Sequence, residues 1–100
     1  MTYISKAELE IMDYLWSIAP EGDYFTNIIH KFKRERSKQT INTYLARLIE
    51  KGYVYTEGVQ GSKLYYAKVS KEEYAWMLLE ELYGGDDKKK IMTKLKSGLI

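Results

Sequence analysis

The spacing of apolar residues first changes along this chain at Gly52, and that change constrains the fold more than any other feature. Before it, apolar positions recur every three or four residues: Ile11, Met12, Leu15 and Trp16, then Ile28, Ile29 and Phe32, then Ile41, Leu45, Leu48 and Ile49. After it, Tyr53-Val-Tyr55 and Leu64-Tyr-Tyr-Ala-Lys-Val69 are rich in aromatic and β-branched residues, with Gly58 and Gly61 between them. The first pattern predicts three helices and the second a β-hairpin. Local signals set the boundaries. Ser5-Lys-Ala-Glu8 has the form of a capping box and opens a helix running to about Ile18. Pro20, Gly22 and Asp23 break the chain, after which Thr26 is expected to cap a second helix that ends in the basic run Lys33-Arg-Glu-Arg36. Ser37 is placed to cap the third helix, and Gly52 stands where a helix stops.

Ser70-Lys-Glu-Glu73 repeats the capping-box pattern and starts a fourth helix, expected to run through Tyr83 and to end at Gly84-Gly85. A last short helix is expected from Asp86 to about Ser97, with Ile91, Met92, Leu95 and Leu99 on one side. On the fourth helix Tyr74, Met77, Leu78 and Leu82 form one stripe, which Ala75, Trp76, Leu79 and Tyr83 widen around much of the circumference. A helix that apolar has to be covered on two sides, and a second copy of the chain is the favoured partner. The expected organisation is therefore mainly α with a small β-hairpin. Residues 1–70, with three helices and the hairpin, are expected to form one domain, and residues 71–100 a C-terminal helical segment that dimerises. Tyr74, Trp76, Met77, Leu78, Leu79 and Leu82 are the candidate dimer contacts.

Charge is segregated along the chain. Residues 1–29 hold one lysine against five acidic side chains, whereas residues 30–51 hold seven basic side chains against two acidic ones. A basic segment beside an acidic one suits a face that binds a polyanion. With no cysteine, disulfides and thiolate metal sites are excluded, and with His30 as the single histidine neither a His-based metal site nor a triad is expected. No paired carboxylates and no phosphate-cradling glycine loop are visible, so neither an enzyme nor a cofactor is expected. The longest apolar run, Ala75 to Leu79, falls far short of the ~20 residues of a membrane span, so no membrane partner and no signal peptide are expected.

Three helices followed by a hairpin is the order of a winged helix, whose third helix enters the DNA major groove. On a helical wheel, Ile41, Leu45, Leu48 and Ile49 fall on one arc of the third helix, while Gln39, Thr43, Ala46, Arg47 and Glu50 fall on the opposite one. Thr40 and Asn42 border that outward arc. It presents an amide, a hydroxyl, a methyl and a guanidinium, which suit base edges and phosphates better than the Glu and Lys pairs usual on a solvated helix. Arg36 and Lys38 before and at the start of this helix, and Lys63 in the hairpin, are candidate phosphate contacts. The alternative is a winged helix that binds another protein without specific DNA binding, since a fold does not fix a function.

At these residues the chain resembles the penicillinase-repressor family of winged-helix transcriptional regulators. The likeness lies in Ile4-Ser-Lys-Ala-Glu8 with Met12 and Leu15-Trp16, in the run from Thr40 to Gly52, and in Leu64 to Ser70, and it extends to Tyr83-Gly-Gly85. The resemblance implies a cytoplasmic bacterial homodimer that represses transcription from a palindromic double-stranded DNA operator. It also aligns Ser37, Gln39, Thr40, Asn42, Thr43 and Arg47 with the recognition-helix positions of the family. The sequence departs from the family pattern in four places. The loop before the third helix is shorter, with Lys38 where a proline is common. No Asn-Phe bond follows the Gly-Gly pair, as it does in the β-lactam regulators. The cysteine-rich motif of the copper regulators is absent. The usual C-terminal arm continues beyond this end, so a smaller apolar surface is expected to hold the dimer.

Overall fold

The computed structural model describes residues 4–82. The elements in order are α1 (Lys6–Ile18), β1 (Asp23–Tyr24), α2 (Phe25–Phe32), α3 (Lys38–Glu50), β2 (Val54–Glu57), β3 (Leu64–Ala67) and α4 (Lys71–Leu82). The chain divides between Val69 and Ser70 into two units. The first holds the helices α1 to α3 and one antiparallel sheet of order β1-β3-β2, an architecture that is mainly α with a small β-hairpin, a winged helix. Of the second, α4 is described. Tyr83 onward, with the expected stop at Gly84-Gly85 and the expected short helix from Asp86, lies outside the described residues, as does the side chain of Leu82. No described helix is long and apolar enough to cross a membrane.

The core of the first unit comes from the positions that the helical spacing singles out. Ile11, Met12 and Leu15 of α1, Ile28 of α2, and Ile41, Leu45 and Leu48 of α3 are buried, and Tyr53 and Val54 join them at the entrance to β2. Each such side chain contributes about 1.5 to 3 kcal/mol by leaving water. Ile49, expected on this buried face, is instead 41% exposed. It follows Leu48 by one residue and so stands about 100° further round the helix, beyond the edge of the contact that Ile41, Leu45 and Leu48 already fill.

The helix ends follow local chemistry. At α1 the Ser5 hydroxyl accepts from the Glu8 N–H at 3.1 Å while the Glu8 carboxylate accepts from the Ser5 N–H at 2.8 Å, a complete capping box. Ser70 and Glu73 make the same reciprocal pair at α4. The end of α3 is a Schellman turn, in which Tyr53 N–H donates to the Leu48 carbonyl and Gly52 N–H to the Ile49 carbonyl. Gly52 sits there at φ +86°, a conformation that costs a residue with a Cβ. This turn ends the helix, and the strand accordingly begins at Val54 rather than Tyr53.

The start of α2 also differs from expectation. Thr26 does not cap α2: the helix starts at Phe25, its N-cap is Tyr24, and no side chain bonds the first amides. The cause is β1, a strand that two residues are too short to announce. Asp23 pairs with Tyr65 and Tyr24 with Leu64, and this pairing holds Tyr24 extended as the chain enters the helix. Gly22 makes the approach possible, because a Cβ there would lie 2.8 Å from the Tyr65 carbonyl oxygen and from the Tyr66 ring.

Glu8 is 1% exposed, and its carboxylate receives the Lys51 ammonium at 2.9 and 3.1 Å. Burial by itself raises the Glu8 pKa. The Lys51 hydrogen bond, the Ser5 backbone and hydroxyl, and the Lys51 charge outweigh it, leaving the pKa below the usual value. Because the folded pKa is the lower one, the contribution is complete above the unfolded value of about 4.3 and is lost as pH falls through the folded value. Lys51→Met should cost about 2 to 3 kcal/mol, less than a fully buried pair because the Lys51 side chain is 22% exposed. Adding Glu8→Leu should recover part of that loss, and Glu8→Gln should flatten the fall in stability below about pH 4. Urea unfolding of the three variants at pH 3 to 7 measures all of these effects.

Candidate nucleic-acid interface

The site is built on α3. Ser37 caps it, accepting from the Thr40 N–H at 3.2 Å and donating its hydroxyl to the Thr40 Oγ1 at 2.9 Å. With the first turn fixed in this way, Lys38, Gln39, Asn42, Thr43, Ala46, Arg47 and Glu50 are exposed and Thr40 is half-buried at the border. The outward arc expected from the wheel is thus the solvent face of the helix. The Thr43 hydroxyl donates to the Gln39 carbonyl at 3.0 Å, so its hydrogen is engaged within the helix and its oxygen remains an acceptor.

Beside α3 lies the hairpin of β2 and β3, the wing, with Tyr55 paired to Tyr66 and Glu57 to Leu64. Its loop turns through Gly58 and Gly61 at φ +107° and +91° and carries Lys63, exposed, just ahead of β3. A groove of about 580 Å³ opens between wing and helices, lined by Asn42 of α3, by Phe25 and Thr26 at the start of α2, and by Gln60, Ser62 and Lys63 of the wing. The fold therefore brings Asn42 and Lys63 together across a gap of 20 residues in sequence. It also adds Phe25, Thr26 and Ser62, which sequence reading did not assign to the interface. Their signal is tertiary: β1 lays the start of α2 against the wing, and the uncapped amides there form the positive end of a helix dipole. Phe25 and Tyr65 meet at 6.1 Å between ring centroids and form the floor of this corner.

The fastening of this corner is polar. Asp23 accepts hydrogen bonds from the Tyr14 hydroxyl, from the Asn27 side-chain amide and from the Tyr24 N–H. Burial alone would raise its pKa, but the Tyr14, Asn27 and Tyr24 bonds bring it below the ordinary carboxylate value. The same bond to Asp23, with burial and the carboxylate charge, pushes the Tyr14 hydroxyl up to about 12. Both groups keep one protonation state through the neutral range, so the corner is a fixed support and not a switch.

Arg36 differs from the other candidates. Its Nη2 donates to the Glu10 carboxylate at 3.2 Å and its guanidinium lies 5.5 Å from the Tyr44 ring centroid, so it ties the turn before α3 to α1 and to α3 itself. The freely exposed cations of the basic segment are Lys33 and Arg34, past the end of α2, and Lys38 and Arg47 on α3. Lys31 lies over the Tyr14 ring at 5.5 Å, and His30 is exposed on α2.

Three helices, a capped third helix with a polar outer face, and a wing beside it define a winged helix-turn-helix, the class of DNA-binding transcription regulators. The penicillinase repressor family matches residues 4–95, and the chain belongs to that family. No curated protein matches this sequence. Membership makes the protein a transcriptional repressor whose partner is DNA.

Because the Arg36 side chain is committed within the fold, Arg36→Ala should lower stability by about 1 kcal/mol, from a half-exposed ion pair and one ring contact. Arg36→Lys should recover less than half of that, since an ammonium lacks the planar face that lies against Tyr44. Urea midpoints of the two variants decide it.

Proposed function

We propose that the protein is a homodimeric repressor that sets α3 into the major groove of a palindromic operator, with the wing on the adjacent backbone. The observation that carries this reading is the outer face of α3. Gln39, Asn42, Thr43 and Arg47 stand exposed on one helix side, beside the groove that Lys63 closes from the wing. In this reading Gln39, Asn42 and Thr43 meet base edges, the first two as amides suited to adenine and Thr43 through its methyl and oxygen. Ser37, Thr40, Lys38 and Arg47 face the sugar-phosphate strand that flanks the helix, and Lys63 meets the other strand. The uncapped start of α2 suits a phosphate seated between Thr26 and Ser62. Arg36 acts indirectly, by holding the entry to α3.

Residues 1–70 are then the DNA-binding part and residues 71–100 the dimerisation part, in a cytoplasmic protein. Support for the dimer comes from α4, where Tyr74, Trp76, Met77, Leu78 and Leu79 put apolar groups on most of the circumference between the exposed pairs Glu72-Glu73 and Glu80-Glu81. Two-fold symmetry of the protein would match two half-sites about one helical turn apart, or a multiple of it.

Selection of bound duplexes from a randomised pool tests the reading, and a recovered palindrome is the expected result. On the selected duplex, Gln39→Ala and Thr43→Ala should relax base preference at single positions, each lost contact costing about 1 to 3 kcal/mol. Lys63→Ala should weaken all sequences alike and reduce the slope of log affinity against log salt by about 0.9 per protomer, while Arg36→Ala should leave that slope unchanged. Fluorescence anisotropy across a salt series separates these behaviours.

Leu78→Asp should yield a monomer in sedimentation velocity that protects one half-site at most. A Leu78→Asp protein that still sediments as a dimer and binds normally would remove α4 from the interface.

A further inference from the structure

The sheet has a second face that the DNA reading does not use. Antiparallel register places Tyr55 and Tyr66 opposite each other, and alternation along β2 and β3 puts Glu57 and Leu64 on the same side as that pair. Thr56 and Tyr65 point the other way, toward the Phe25 corner. On this outer face the rings of Tyr55 and Tyr66 stack at 5.0 Å between centroids with planes 12° apart, and Tyr55 is 41% exposed. A stacked pair whose outer ring is open to water offers a flat π-surface. Its rim is acidic. The Tyr66 pKa is raised by desolvation and by Glu57, Tyr55, Glu21 and Tyr24, which places both carboxylates within electrostatic reach of the stack. Among the described residues, neither Glu21 nor Glu57 pairs with a cation.

We propose that this outer face of the wing is a docking surface for an arginine-bearing segment of a second protein. A guanidinium lies flat on a tyrosine ring and at the same time donates to a carboxylate beside it, which an ammonium does less well. The unpaired Glu21 and Glu57 supply the complementary charge and repel phosphate, so DNA is not the occupant. A second copy of the chain is disfavoured because its three arginines are Arg34 after α2, Arg47 on α3, and Arg36, which is held by Glu10 and Tyr44, and Arg34 and Arg47 belong to the side that faces DNA in the proposed complex. Tyr55 and Glu57 belong to β2, the edge strand furthest from β1, so an occupant there leaves the groove at the start of α2 open. The surface could therefore receive its partner while the repressor stays on DNA.

The test uses the full chain, labelled with nitrogen-15 and with carbon-13 in the tyrosine rings, and titrated with the acetylated, amidated peptide Gly-Arg-Gly-Arg-Gly. The control is the same peptide with citrulline in place of arginine. Saturable shifts at the Tyr55 and Tyr66 rings and at the Glu57 amide, at least tenfold weaker with citrulline, are the expected result. Tyr55→Ala and Glu57→Gln should each weaken the peptide at least tenfold and leave DNA affinity within twofold, which also shows that both variants fold. Shifts spread over all acidic residues, or no shift at these rings, would overturn the proposal. Movement of the same resonances on concentrating the protein without peptide would also overturn it, by making a second copy the occupant. DNA binding is read separately, so failure here leaves the operator reading standing, and the converse also holds.

Discussion

The carboxylate of Glu8 is the point on which the first unit turns. It lies in the first turn of α1, buried, and it answers two demands at once: it bonds the Ser5 N–H that opens α1 and it receives the Lys51 ammonium that closes α3. A buried carboxylate without a cation is costly, so the approach of α1 to the end of α3 is specified and not merely permitted. Lys51 is the C-cap of α3, and its charge sits where the helix dipole is negative. The next residue, Gly52, turns the chain out of the helix. The position of α3 and the departure of the wing from it therefore rest on one ion pair and one left-handed residue.

A second set of polar bonds carries this frame to the wing. The Trp16 indole donates to the Val69 carbonyl at 2.8 Å, which fixes the far end of β3 on α1. Asp23 gathers Tyr14, Asn27 and the Tyr24 N–H, which fixes β1 and with it the start of α2. β1 is only two residues long, and its contribution is placement. It adds a strand to the wing on the side of β3 away from β2, and this closes a groove between three elements distant in sequence.

The consequence is a molecule with two faces of opposite chemistry. The α3 face is amide, hydroxyl and cation, suited to a polyanion. The outer face of the wing is tyrosine and carboxylate, which a polyanion avoids. β2 and β3 serve both, because alternate side chains of a strand point to opposite sides. Arg36 shows why position outranks residue type. It belongs to the basic run, yet the fold engages its guanidinium with Glu10 and Tyr44, which ties the entry of α3 to α1.

Features set by neighbours three or four residues away were readable from the sequence alone. Ser5 with Glu8, Ser37, and Ser70 with Glu73 marked three helix starts because a cap is satisfied within one turn. Gly52 marked a helix end because only the left-handed conformation there completes the Schellman bonds. The periods of 3.6 and 2 distinguished helix from hairpin and put Gln39, Thr43 and Arg47 on the outer side of α3, with Asn42 at its border. Tertiary structure alone decided the rest. Asp23-Tyr24 is a strand only because β3 is beside it, and Thr26 lost its capping role because that pairing moved the helix start. Ile49 was left in water because the contact surface is narrower than the apolar stripe. The groove joining Thr26, Asn42 and Lys63, the Arg36–Glu10 pair and the Glu8–Lys51 pair all depend on segments that meet only after the chain has folded, and no local spacing encodes such meetings.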